Sequence, residues 1–390
     1  DIAKLPNDQT NATVNNSVTG EYESTVLIYA DHISNYFQTA YDIGGNIAAN
    51  ASYVQAIPGT AGCLSLTKTN TDACITSFVS GFGLKAFRRP LTTAEVTQYK
   101  GYYNSSAFAS NAQKIQAVIA IFLQSPDFLY RVYDQGTVTS THARTLNPYE
   151  YASKISYLIT GSMPDETLFG KAASGALNTT DGVNTEVARL LALPAARTTI
   201  ARFFKEWLQY DTMPDMTTFP GTVVNGIDTT NLATNMVNDV DHTIQSLVFD
   251  YNASYQDLAT TRISYIAGSN LAQIYGVVNP NGLVTLGAER TGIFSRAAFL
   301  AKQAQPATSP VKRGRFMLTS VLCQSIGNPP PGAPAQAPPL DPGVFYTTRD
   351  RYNLLTVQDK NGVPVSSCVG CHSRMNPLGY VYESFDPFGR

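Results

Sequence analysis

The 390-residue chain is poor in charge: 14% of its residues are Asp, Glu, Lys or Arg, and these nearly cancel to a formal −2. Without a basic face, neither nucleic acid nor an acidic membrane surface is an expected partner. No run approaches the ~20 apolar residues of a membrane span, so no transmembrane segment is expected. Internal repeats, heptads and sustained strand alternation are also missing, and their absence favours an all-α class with a few short strands. The chain starts at Asp1 without a basic, apolar leader, as a processed or N-terminally incomplete chain would.

Ser, Thr, Asn and 22 Tyr take the place of charge, a composition common on secreted and surface proteins. The length suffices for a large core in two or three packed subdomains, so the cysteines are not needed for folding. There are five. Cys63 and Cys74 are placed either to form a disulfide in an oxidising compartment or to remain two buried thiols, and Cys323 stands alone. Cys368 and Cys371 belong to a motif taken up below.

Helix signals recur along the chain. In YESTVLIYADHISNYFQTAYDI, Val26, Ile28, Tyr29, Ile33, Tyr36 and Phe37 suit a buried helical face, with His32 as a structural residue. Cys74, Ile75, Phe78 and Phe82 mark a second helix, and Thr92 with Glu95 forms a capping-box signature opening a third that carries Val96 and Tyr99. KIQAVIAIFLQ reads as a core helix ending at Ser125 before Pro126. Asn147 and Pro148 read as cap and first residue of another. DETLFGKAA, VARLLALPAARTTIARFFKEWLQY and TTNLATNMVNDVDHTIQSLVFDY continue the helical pattern, and Ser309 with Pro310 starts SPVKRGRFMLTSVLCQ. Lys312, Arg313 and Arg315 crowd the first turns of that helix, against the macrodipole; they call for a local anionic partner or form a solvated basic turn. GNPPPGAPAQAPPLDP cannot be regular helix and reads as an extended connector. The expected organisation is a remnant of an N-terminal helical domain (1–60), a helical subdomain (61–140), a central helical domain (141–285) and a C-terminal segment with the proline-rich connector (286–390).

The most direct chemical signal is CVGCH, Cys368 through His372. Two thiols three positions apart can each add to a vinyl group of one porphyrin, and the adjacent imidazole then falls under the iron as an axial, metal-ligating group. Zinc would need a fourth ligand from a second Cys/His cluster, which the scattered remaining cysteines do not offer. A disulfide oxidoreductase would carry its pair between an early strand and helix, whereas this one follows the loop VQDKNGVPVSS near the end. A short pattern can also match by chance. One covalent haem c, making this the haem-binding C-terminal segment of a mainly α protein, is the preferred reading. Met375, on the same side of the ring as His372, is expected to be packing. A distal protein ligand must come from upstream: His32, His142, His242, Met163, Met213, Met216, Met236 or Met317. Otherwise the sixth position is open.

The order of FGLKAFRRPLTTAEV, FLQSPDFLYRVY, NPYEYASKISYLITGSMPDETL, TSPVKRGRFML with its proline run, and CVGCHSRMNPLGYVYESFDPFGR resembles the planctomycete-type cytochrome c family from about residue 60 onward. These are large exported bacterial proteins of linked domains of unknown function. The resemblance implies a C-terminal haem held by Cys368, Cys371 and His372, a recurrent basic pair matched by Arg313 and Arg315, and electron transfer without an established substrate. Pairing of these arginines with haem propionates is the expectation for the basic pair. The expected protein is an exported monohaem c-type cytochrome, periplasmic, at the cell surface or extracellular, that serves a redox partner protein. The alternatives are a haem peroxidase or oxidase with an open distal site, or a structural subunit of a self-assembling extracellular array.

Overall fold

The computed structural model describes residues 30–140, 143–219, 221–278, 282–303, 308–327, 343–359, 361–365 and 368–390. Val26, Ile28, Tyr29, His142 and most of the proline-rich connector lie outside them. Among the described residues the chain is mainly α, with two small antiparallel sheets of two strands each. Its contacts divide it into two compact units, Asp1–Thr199 and Ile200–Arg390.

The first unit contains α1 (Ala30–Ala48), α2 (Ala51–Gln55), α3 (Asp72–Phe87), α4 (Thr93–Tyr103), α5 (Asn111–Gln124) and α6 (Pro126–Leu129). After the strands β1 (Val138–Ser140) and β2 (Ala143–Arg144) come α7 (Pro148–Thr160), α8 (Glu166–Ala173) and α9 (Thr180–Leu191). Thr92 and Glu95 close the expected capping box on α4, and Asn147 with Glu150 closes one on α7 behind Pro148. α5 ends at Ser125, which then caps α6. The core gathers Ile75, Phe78, Tyr103, Ile115, Ile119 and Phe122, with Tyr99 stacked on Phe122 at 3.8 Å between centroids. Cys63 and Cys74 form a disulfide that ties the α2–α3 connection to the first turn of α3.

α1 departs from expectation in its buried face. Ile33 and Phe37 are exposed, at 63% and 51%, and Tyr36 is half-buried. The face turned inward carries His32, Ala40, Gly44 and Ala48. The reason is the close crossing of α1 with α5: a Cβ on Gly44 would lie 2.7 Å from the Gln116 carbonyl oxygen. Small residues let the backbones approach there, and large apolar ones on that face would hold them apart.

α10 (Pro194–Leu208) restarts helix at the proline after α9, as Pro at a first position allows. α11 (Gly221–Val224), α12 (Leu232–Gln245), α13 (Tyr255–Thr260), β3 (Ile263–Ile266), α14 (Ser269–Tyr275), β4 (Gly282–Thr285), α15 (Ala297–Lys302), α16 (Pro310–Phe316), α17 (Thr348–Thr356) and α18 (Val369–Tyr380) follow in the second unit. α12 runs on into a π-helical turn, Ser246–Asp250, and α16 into another, Met317–Val321. The core of this unit is built from Leu208, Leu232, Met236, Ile244, Ile266, Leu271, Ala298 and Phe388.

A buried ionic network stands within that core. Asp239 accepts from Ser264 Oγ at 2.5 Å, Tyr265 N at 3.0 Å and Tyr275 Oη at 2.7 Å. Arg296, fully buried, donates to the carbonyls of Arg290, Gly292, Thr261 and Ile263. Burial raises the Asp239 carboxyl above its ordinary value, opposed by the nearby Arg296 charge and by its hydrogen-bond donors. No periodicity in the sequence marks this network, because its members come from α12, β3, α14 and the connection that precedes α15.

Candidate haem-attachment site

The CVGCH segment opens α18. Cys368 is the residue before the first helical position, and its carbonyl accepts from Cys371 N at 3.2 Å and His372 N at 3.1 Å. Three residues make just under one helical turn, so the motif's two cysteines share a face while His372 sits one step round. All three are half-buried. The chain reaches this turn through a tied loop. Asp359 Oδ1 accepts from Asn361 N and Val363 N, both at 2.8 Å, Gly362 takes a left-handed φ of 78°, and Val365 N returns to Val357 O at 3.0 Å.

His372 is held from behind. Its Nδ1 lies 3.0 Å from Asn376 Oδ1, one turn on along α18. Asn376 is fully buried and reaches Thr356 Oγ1 on α17 at 3.0 Å, and Thr356 in turn contacts Tyr352 O at 2.6 Å. Tyr380, one turn beyond Asn376, bonds Asn353 Oδ1 at 2.8 Å, so α17 and α18 are joined at two levels. Burial raises the hydroxyls of Tyr352 and Tyr380 above their ordinary value.

α18 crosses α16 with their backbones in close approach. A Cβ on Gly314 would fall 1.9 Å from Met375 O, and one on Gly379 1.9 Å from Pro310 O. Met375 is buried at this crossing, in the packing role expected of it. Pro377 lies inside α18 and cannot donate to the carbonyl four residues back, yet the helix continues to Tyr380.

The expected basic pair separates. Arg313 is buried, 2% exposed, and its guanidinium donates to the carbonyls of Tyr382, Phe385, Leu300 and Asp386 and to Glu383 Oε1. Burial pushes that guanidinium below its ordinary value against the pull of Glu383 and Asp386. Glu383, which also accepts from Thr308 Oγ1 at 2.9 Å, is itself raised by burial. Arg315 and Lys312 are exposed on α16. The local anionic partner of the cluster is thus, for Arg313, a protein carboxylate and a set of carbonyl dipoles.

The candidate distal ligands are dispersed. His32 is buried in the first unit. His242 is exposed and lies on the Tyr265 ring at 4.3 Å, and Met163 is exposed. Met216 and Met236 are buried in the second unit's core, with Met213 packed against it. Met317 begins the π-helical turn that packs on α18, and its sulfur already accepts from Tyr382 Oη at 3.6 Å. Among the described residues, no group of three or more His, Cys, Asp or Glu side chains is placed to hold a metal ion. The donor set at CVGCH fits haem c, which asks of the chain two thiols and one imidazole with its Nδ1 occupied.

Sequence reasoning missed Asn376 and Thr356. The His372–Asn376 spacing of four on one helix was the available signal.

Three domain-family models match the chain. PSD5, a protein of unknown function (DUF1595), matches residues 74–132; PSD4, likewise of unknown function (DUF1592), matches 146–277; and PSCyt3, of unknown function (DUF1588), matches 290–390, the stretch containing CVGCH. No curated protein and no solved structure matches it.

Proposed function

Since the chain belongs to the planctomycete-type cytochrome c family, we propose that it is an exported monohaem c-type cytochrome, with haem attached at Cys368 and Cys371 and ligated by His372. One observation carries the reading: the two thiols and the imidazole share the first turn of α18, and a buried side chain holds the imidazole by Nδ1. Nε2 is the nitrogen that then serves a metal.

Bound haem supplies reversible one-electron exchange. The chain's own residues do the rest. The tied loop at Asp359 delivers Cys368 to the helix start, α17 fixes the imidazole through Asn376, and the α16–α18 crossing makes the site a rigid part of the second unit. Because Arg313 is committed to the 382–386 segment, the propionate-pairing role falls to exposed Arg315. The Cys63–Cys74 disulfide supports a location outside the cytosol, where covalent haem attachment also takes place in bacteria. The function is electron transfer with a partner redox protein.

A pyridine haemochrome spectrum after acid–acetone extraction tests this. One thioether-linked haem per chain is expected, lost in the Cys368→Ala, Cys371→Ala double variant, with a shifted potential or weaker haem retention in Arg315→Ala. A wild-type chain without a c-type band overturns the reading.

A further inference from the structure

The chain of hydrogen bonds behind His372 has a direction, and its far end sets it. A main-chain carbonyl has no hydrogen to give, so the 2.6 Å contact between Thr356 Oγ1 and Tyr352 O uses the Thr356 hydroxyl proton. Toward Asn376 the same oxygen is then an acceptor, and the Asn376 atom facing it at 3.0 Å is the amide nitrogen. The Asn376 oxygen therefore faces His372, and at 3.0 Å it requires the imidazole proton on Nδ1. Turning the amide over would set its oxygen against the Thr356 oxygen in a fully buried position, where neither atom has a hydrogen left to give.

We propose that Asn376 is a positioning residue for His372: anchored by Thr356 on α17, it fixes the tautomer that presents Nε2 as the ligating atom. Its neutral amide also limits how much electron density the imidazole passes on. A carboxylate at this position would draw the Nδ1 proton harder, make His372 the more basic ligand and favour the oxidised metal. The choice of amide over acid sets the potential higher. The proposal deepens the haem reading and rests on it for the potential, while the tautomer stands on the protein alone.

The test has two arms. In the full chain produced without attached haem and labelled with ¹⁵N-histidine, the His372 signals, identified by their loss in His372→Gln, are expected to show Nδ1 protonated and Nε2 bare. Asn376→Leu is expected to give the other tautomer or a mixture. In the haem-loaded protein, Asn376→Asp, which keeps the side-chain shape if the leucine variant fails to fold, is expected to have a lower midpoint potential than wild type. A wild-type His372 protonated on Nε2, or equal potentials in wild type and Asn376→Asp, overturns the proposal. A missing haemochrome band with the expected tautomer would overturn the haem reading alone.

Discussion

At the scale of the residue, Glu95 combines two tasks. It closes the capping box on Thr92 and makes a two-pronged ion pair with Arg89, at 2.9 and 3.0 Å. The Arg89 bond is the main cause of its lowered pKa, opposed by burial. A carboxylate depressed in the folded state stabilises fully above its unfolded value and loses that contribution as pH falls through the folded one. The thermal midpoint of the first unit should therefore drop more steeply below about pH 4.5 in wild type than in Glu95→Gln. At neutral pH the variant should be less stable by about 2 kcal/mol, the worth of a hydrogen bond to a charged group. Calorimetry across pH measures both. The sequence disclosed this box because its signature is local, four residues read in order. Asn376 was not disclosed, because its partners come from two helices and an asparagine one turn after a histidine is ordinary.

At the scale of the element, helix starts were legible and helix faces less so. Ser or Asn followed by Pro, as at Asn147–Pro148 and Ser309–Pro310, announces a start whatever the rest of the fold does. The inward face of α1 depended instead on how near α5 comes, which no residue of α1 states by itself. The same physics governs α16 and α18. Gly314→Ala or Gly379→Ala should destabilise the second unit by at least about 2 kcal/mol, since the added methyl meets a carbonyl oxygen that only a shift of whole helices can move. Gly101→Ala on α4, where a Cβ meets nothing, should do the opposite and gain about 1 kcal/mol from helix propensity. Urea denaturation of the three variants separates the effects.

At the scale of the whole molecule, each unit has its own core, and the Cys63–Cys74 disulfide belongs to the first. Scanning calorimetry should resolve two transitions, and reduction should lower one of them by the equivalent of about 3 kcal/mol, the chain-entropy value for so short a loop. A single transition, or one insensitive to reduction, would contradict this. The mainly α class was readable because alternation was missing throughout. The division at 199/200 was not readable, because it falls inside α10, where the helical pattern is unbroken. Arg313 adds a consequence for how such a sequence can change over time. Four of its five acceptors are main-chain oxygens, which every residue type supplies. Leu300, Tyr382 and Phe385 are thus free to drift in identity without loosening that grip, whereas Asp386 also lends its charge and the arginine itself has no substitute: the constraint is written into few positions and erased from their neighbours.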